Sequence, residues 1–458
     1  MTRYLSLAAL LLAAPLAAQQ AAPSVTLFSS GQALVRRTLP VRLPAGTSTQ
    51  PLVLGIFDPA SFAVLDRTVQ VAAVRYDGAT TEDALLRRNI GQVFTFPQGD
   101  AGGVVRARLL AVDPERWEIV DAGATRWQGV VFARPGRLMW DASLVPLAPI
   151  ADVTLVGERA RDVLPVMYRA PGGSWAAGYR VYLGASGRIE GTAQVNAGTL
   201  DLQNANVQLL AGDIGRAAPS PMMMARAGRG FEDASVTTGA TAAEFGNVGE
   251  VKLYTLPGAI SFTPGTQTVV PLFAPAAVVP ELRLTVPGSL PFYGGIGQET
   301  DEVEVPVMVS YRLPHELKTP FGDLPLPAGA VSVFDTDAGG RVQLVGQGSI
   351  GHTAPGEQVE VQTGTAFDVS ARRTQTEYAT TRATGPTRVV ATVGYSVTLK
   401  NAKDSAVTVE VREDRGGEWN VISSSVPAVR RSSSRTVFPV RVPAGGEATL
   451  TYRIRVVW

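Results

Sequence analysis

From Ser24 onward, apolar and polar residues alternate in short runs. SVTLFSS, ALVRRTLPVRL, PLVLGIF and TVQVAAVRY are rich in β-branched residues and are broken by PAG, GTST and YDG. A period of two puts alternate side chains on opposite faces, so each run predicts a half-buried strand. No window sustains a helical stripe over several turns; the nearest candidate for one short helix is TTEDALLRRNIG at residues 80–91, with Thr81, Glu82 and Asp83 as a start signal and Gly91 as a stop. Residues 91–140 then hold GQVFTF, VVRARLLAVD, RWEIVDAG and TRWQGVVFA, joined by PQGDAGG, PE and AGA. Such even spacing predicts a small closed barrel of SH3-like or Sm-like type, in which closure removes exposed edges.

Beyond Ser143 the runs lengthen into DVTLVGE, LPVMYRA, SWAAGYRVYLG, RIEGTAQVNAG and NVQLLAGD. Residues 211–250 break the pattern with an aperiodic stretch rich in Gly, Ala, Ser, Thr and Pro, read as a mobile loop inside the domain. Alternation resumes at EVKLYTLP and continues through EVEVPVMVSYRL to EQVEVQTG. A last set, RVVATVGYSVTLKN to LTYRIRVVW, alternates cleanly, as on a sheet with one wet face. The whole predicts an all-β chain: a small N-terminal barrel-like unit followed by antiparallel β-sandwich domains, with limits at 24–142, 143–384 and 385–458.

The first residues add a compartment. Arg3 precedes the apolar run Leu5 to Leu12, and small residues lead to Ala17 and Ala18. This is the layout of a secretory signal peptide over residues 1–18, cut near Ala18 or Gln19. Pro15 and Gln19-Gln20 interrupt it as a membrane-spanning segment. The expectation is an exported protein of the periplasm, cell envelope or cell surface, peripheral to the membrane and without a transmembrane helix in the mature chain.

Composition narrows the chemistry. The chain has 458 residues, 45% of them apolar, with Lys+Arg 41 against Asp+Glu 40. A balance of +1 argues against nucleic acid as a partner. Cysteine is absent, so disulfides, thiolate metal sites and cysteine nucleophiles are excluded. Lysine occurs only at Lys252, Lys318, Lys400 and Lys403, and arginine supplies the other cations.

Candidate sites are few. Residues 346–351 spell GQGSIG, but His352-Thr353-Ala354-Pro355-Gly356 follows where a phosphate-binding helix would have to start, so a turn-rich hairpin is expected. His315 and His352 are the two histidines, and neither G-x-S-x-G nor H-E-x-x-H is present. No catalytic set is assigned. Met222, Met223 and Met224 offer soft thioethers that suit Cu(I), and His315 and His352 complete a candidate copper set, against the plainer readings of an adaptable apolar patch for the methionines and loop hydrogen bonding for the histidines. Glu299, Asp301, Glu302 and Glu304, and Asp335 with Asp337, are hard oxygen donors that suit Ca²⁺. Solvated strand faces and a hairpin turn are the plainer readings of these two groups. Trp127, Trp140 and Trp175 are candidate sugar-stacking aromatics, with Trp175 placed rather in the sandwich core.

Four stretches carry a family resemblance. They are YRAPGGSWAAGYRVYL, TAQVNAGTLDLQNANVQLLAGD, the long LPAGAVSVFDTDAGGRVQLVGQGSIGHTAPGEQVEVQTGTAFDV, and YSVTLKNAKDSAVTVEVREDRGGEWNVISSS with VPAGGEATLTYRIRV. Over residues 150–458, and more weakly over 24–140, the chain resembles the mucoidy-inhibitor-A-like family of bacterial envelope proteins, without the coiled-coil insert that many members carry. The resemblance implies an all-β envelope protein and brings no established reaction. The resulting expectation is a non-enzymatic structural or interaction protein whose partners are other cell-envelope or surface-layer proteins. Two alternatives stand beside it: a copper-binding redox enzyme of superoxide-dismutase type, and a polysaccharide-binding module.

Overall fold

The computed structural model describes residues 22–98, 103–121, 129–146, 148–212, 243–248, 251–288, 297–299, 301–382 and 389–457. Residues 1–18, expected as a signal peptide, and Met222–Met224 lie outside them. The protein is all-β. Among the described residues the one α-helix is Glu82–Arg88, with Thr81 as its N-cap accepting the Ala84 N–H and with Leu85 and Leu86 buried. Six sheets carry the rest.

A seven-stranded sheet runs in the order Glu244–Val248, Val251–Phe262, Leu202–Ala211, Ser24–Phe28, Gln32–Leu43, Arg161–Pro171 and Ala63–Val64. A three-stranded sheet pairs Ile150–Gly157 with Gly46–Leu52 on one side and Val69–Asp77 on the other. A five-stranded sheet has the order Gln267–Ala277, Arg188–Asn196, Ser174–Tyr182, Gly329–Thr336 and Val342–Ile350. These three sheets share one core that reaches from Val25 to Val361. Strands from the first 64 residues and strands from 161–262 therefore lie in one sheet and bury one set of side chains.

The other large body is a sandwich. Its six-stranded sheet runs Val359–Thr365, Met308–Leu313, Glu281–Val286, Val407–Asp414, Arg435–Val442 and Val429–Arg430. Its five-stranded sheet runs Val303–Val305, Val369–Arg382, Val389–Asn401, Glu447–Val457 and Glu418–Ser424. The alternation in EATLTYRIRVV is the burial pattern itself: Leu450, Tyr452, Ile454 and Val456 face in, and the residues between them face water.

Antiparallel ladders dominate, but among the described residues three pairs are parallel: Ser24–Phe28 with Leu202–Ala211, Ser174–Tyr182 with Gly329–Thr336, and Glu281–Val286 with Val407–Asp414. Two local expectations change. GQGSIG is not a turn: Val342–Ile350 is continuous strand, antiparallel to Gly329–Thr336. A Cβ on Gly346 would stand 2.5 Å from Thr363 Cβ, and one on Gly348 would stand 2.4 Å from Gln362 O. These glycines let two sheets cross closely. Within the supposed loop 211–250, Glu244–Val248 pairs with Val251–Phe262 and extends the large sheet, and residues 213–242 lie outside the described set.

Residues 93–131 form a separate unit with its own core, and the expected closed barrel is not what forms. Val93–Gln98, Gly103–Val112, Glu115–Asp121 and Gly129–Val131 make an open four-stranded meander. Among the described residues its last strand, three residues long, pairs only with its neighbour, and the first edge is met by a single bridge from Thr95 to Met139. Trp117 is fully buried at its centre, edge-on to Phe94 at 5.6 Å and to Phe96 at 5.0 Å.

Because this core shares no buried residue with the other two, Trp117→Ala is expected to cost the meander about 3–5 kcal/mol. Amide exchange should rise across 93–131 and stay unchanged in Ser24–Phe28 and Leu202–Ala211. Equal loss of protection in both places would show that the unit does not fold separately.

Candidate functional site

The two histidines serve the same pair of connections, 314–328 and 351–358. His315 is buried, with Nδ1 3.0 Å from Glu357 O, Nε2 3.0 Å from Leu324 O, and its ring edge-on to Phe321 at 4.8 Å. His352 is exposed, and its Nδ1 accepts the Ala328 N–H at 3.1 Å. The two connections also join through a Leu326–Thr353 bridge. Below them, the Tyr179 hydroxyl donates to Pro327 O at 2.7 Å and the Tyr254 hydroxyl donates to Pro325 O at 3.1 Å. Burial pushes both phenols up, which keeps them neutral donors. Three ring nitrogens are thus engaged with backbone groups, whereas a metal ligand needs a free imidazole lone pair. Among the described residues no three His, Cys, Asp or Glu side chains gather around a point.

The carboxylates expected as hard donors are mostly committed locally. Asp337 Oδ1 accepts the N–H groups of Gly339 at 2.9 Å and Arg341 at 3.0 Å, and Oδ2 accepts from the Arg341 and Gln343 side chains at 3.1 Å each. The Arg341 N–H, then Gln343, hold its carboxyl below the usual range. This is a hairpin turn closed on itself. Asp335 takes the Thr336 N–H. Glu302 lies 3.5 Å from Arg372, and Glu299, Asp301 and Glu304 are exposed.

Of the three tryptophans, Trp175 is 5% exposed and donates to Leu210 O at 3.1 Å, so it belongs to the core. Trp140 is half-buried against Phe94 at 5.1 Å, and Trp127 lies outside the described residues. A surface aromatic row does exist. Arg188, Tyr182, Phe334 and Leu344 sit side by side on adjacent strands. Arg188 covers one face of Tyr182 at 3.8 Å, and Phe334 stacks at 5.4 Å. The neighbours thus take up the ring face that a sugar would need.

Two features were not anticipated. The first is an ionic knot inside the second sandwich. Glu413 is 0% exposed; its Oε1 accepts from Arg415 Nε at 2.7 Å, and its Oε2 accepts from the Tyr452 hydroxyl at 2.6 Å and Arg373 Nη2 at 3.2 Å. The Arg373 guanidinium lies 3.8 Å over the Tyr395 ring, and Phe438 stacks on Tyr452 at 4.7 Å. Burial, then the Glu413 charge, pushes the Tyr452 hydroxyl up. The signal was present in the alternation: period two puts Glu413 on the face of Val409 and Val411, and Arg373 on that of Val369 and Ala371.

The second feature is a groove of about 480 Å³ along the open edge of Val93–Gln98, lined by Asn89, Gln92, Val93, Thr95, Met139 and Leu144 among others. Met139 in its wall is 60% exposed, and Ile90 and Phe132, just outside the meander strands, are 51% and 71% exposed.

Compared with known proteins, the chain matches no family model, no curated protein and no solved structure.

The knot yields a stability test. Glu413→Ala leaves two guanidinium groups buried without their carboxylate and is expected to cost about 3–5 kcal/mol in urea unfolding. Replacing the whole set by Arg373→Met, Glu413→Leu, Arg415→Met and Tyr452→Phe should cost much less, because no charge is then left unpaired. A Glu413→Ala variant as stable as the parent would remove the structural role.

Proposed function

We propose that the chain is an exported cell-envelope protein with a structural and docking role, and that its meander receives an extended segment of another envelope polypeptide by strand addition. The observation that carries this reading is the edge of Val93–Gln98. Among the described residues one bridge meets it, at Thr95, and it borders a groove whose walls include the exposed side chains of Val93, Met139 and Leu144. An unpaired strand edge supplies main-chain donors and acceptors for a partner in extended conformation, and flanking apolar pockets select its alternate side chains. The occupant that fits is therefore an extended polypeptide with apolar residues at every second position. Export is supported by the arrangement of Arg3, the Leu5–Leu12 run and Ala17-Ala18, and the envelope setting by the resemblance to mucoidy-inhibitor-A-like proteins.

A photo-crosslinking residue at Met139 is expected to trap one envelope protein in whole cells, whereas the same residue at exposed Thr449 traps none. Val93→Lys, which places a charge on the docking edge, should abolish the Met139 adduct while leaving the melting temperature within about 2 °C of the parent. No adduct at Met139, or an adduct that survives Val93→Lys in a folded protein, overturns the reading.

A further inference from the structure

His315 follows Pro314 at the end of the strand Met308–Leu313 and opens the connection 314–328 that leads to Gly329–Thr336. Its ring is 4% exposed and faces one backbone carbonyl from each nitrogen, Leu324 O in its own connection and Glu357 O in 351–358. Among the described residues the imidazole is the one donor group bonded to either carbonyl. An imidazolium has two N–H groups and gives each carbonyl a donor. A neutral imidazole has one, and turns the lone pair of its second nitrogen toward a carbonyl oxygen.

We propose that His315 is a proton-operated clasp: in its charged form it ties 314–328 to 351–358 through both carbonyls, and in its neutral form it releases one of them. The consequence reaches beyond the loop. Phe321 and Leu326, each 2% exposed, carry 314–328 into the main core, while the strands on either side of it belong to two different sheets. The clasp therefore holds the joint between the five-stranded and six-stranded sheets. In an exported protein that joint meets the pH of the surroundings directly.

The charged and titratable groups on the elements packed around the ring have other partners or face solvent. Asp323 accepts the Lys318 N–H, and the Glu357 carboxylate accepts the Ala354 N–H. Glu316 and Lys318 are exposed, and His352 accepts from Ala328. On the flanking strands, Glu360 accepts from Ser310 and Arg312 stands opposite Glu360 in the ladder. Tyr311 is half-buried on the same strand as Arg312, and Tyr179 and Tyr254 donate to Pro327 and Pro325. None of these side chains bonds the ring.

The chain has only two histidines, so selective ¹⁵N labelling gives two ring spin systems in the intact mature protein. The expected result is one ring, lost in His315→Gln, with protons on both nitrogens at pH 5 and with one nitrogen bare at the alkaline end of a titration through the range where histidine changes charge, about pH 5–8. The melting temperature of the parent should exceed that of His315→Gln most at pH 5, and the gap should shrink by roughly half or more by pH 8, since a clasp that needs the proton is lost as pH rises. A ring with one bare nitrogen throughout, or a gap that does not change with pH, overturns the proposal. The ring spectrum is read on the unaltered chain, so it decides even where His315→Gln folds poorly.

Discussion

The large body depends on one distant pairing, the parallel ladder between Ser24–Phe28 and Leu202–Ala211. It sits in the middle of the seven-stranded sheet, and its Thr26–Gln208 contact spans 182 residues. Closing a loop of that length costs about 5 kcal/mol of chain entropy. Full burial of Val25 and Leu27, each 0% exposed, returns about 3–6 kcal/mol. The five register pairs then contribute hydrogen bonds worth about 0.5–1.5 kcal/mol each. The side chains roughly offset the closure, and the ladder tips the balance. With no disulfide available to pre-close the loop, an error in this pairing would divide the sheet into two halves, each with a raw edge.

Polar groups inside these sheets fix geometry more than they add stability. In the second sandwich, Glu413 joins strands of both sheets: Arg373 and Tyr452 lie on the five-stranded sheet, and Glu413 itself lies on the six-stranded one. Sliding either strand by one residue would bury an arginine without its carboxylate, and the apolar alternation alone punishes such a slip less severely. The connection 314–328 follows the same logic with single hydrogen-bond donors. Its carbonyls at Leu324, Pro325 and Pro327 point inward where no strand can pair them, and His315, Tyr254 and Tyr179 supply the donors.

The sequence made some levels legible and hid others. Alternation foretold strands such as Glu447–Val457 and the placement of Trp175, because facing is a local property of a pleated chain. Neighbourhood is not local. Nothing in SVTLF names Leu202–Ala211 as its parallel partner, and nothing in VFTFPQ tells that the meander stays open. The glycines of GQGSIG resembled a phosphate loop because glycine answers any demand for close backbone approach, and here the demand comes from Thr363 and Gln362 on a crossing strand. The knot around Glu413 was encoded by the same alternation that placed Val409 and Val411. It escaped notice because acidic and basic residues in a strand are ordinarily assigned to the wet face. In the same way, the histidines were read as loop groups or metal ligands, and their carbonyl partners became visible only once both connections had been placed.

Most edges in the molecule are blunted against further pairing. Gln267–Ala277 carries Pro271 and Pro275, Gly46–Leu52 carries Pro51, and Val429–Arg430 is two residues long. Glu418–Ser424 is bulged, the ladder of Val69–Asp77 shifts register at Thr154, and Val359–Thr365 is backed by Val342–Ile350. Each device removes or misaligns the main-chain groups that a stray strand would need. Val93–Gln98 lacks such protection over Val93 to Phe96, with Pro97 only at its far end, and exposed apolar side chains border it. The proposed docking role rests on this open edge, because an unprotected edge beside exposed apolar side chains carries an aggregation cost that pairing with a partner would remove.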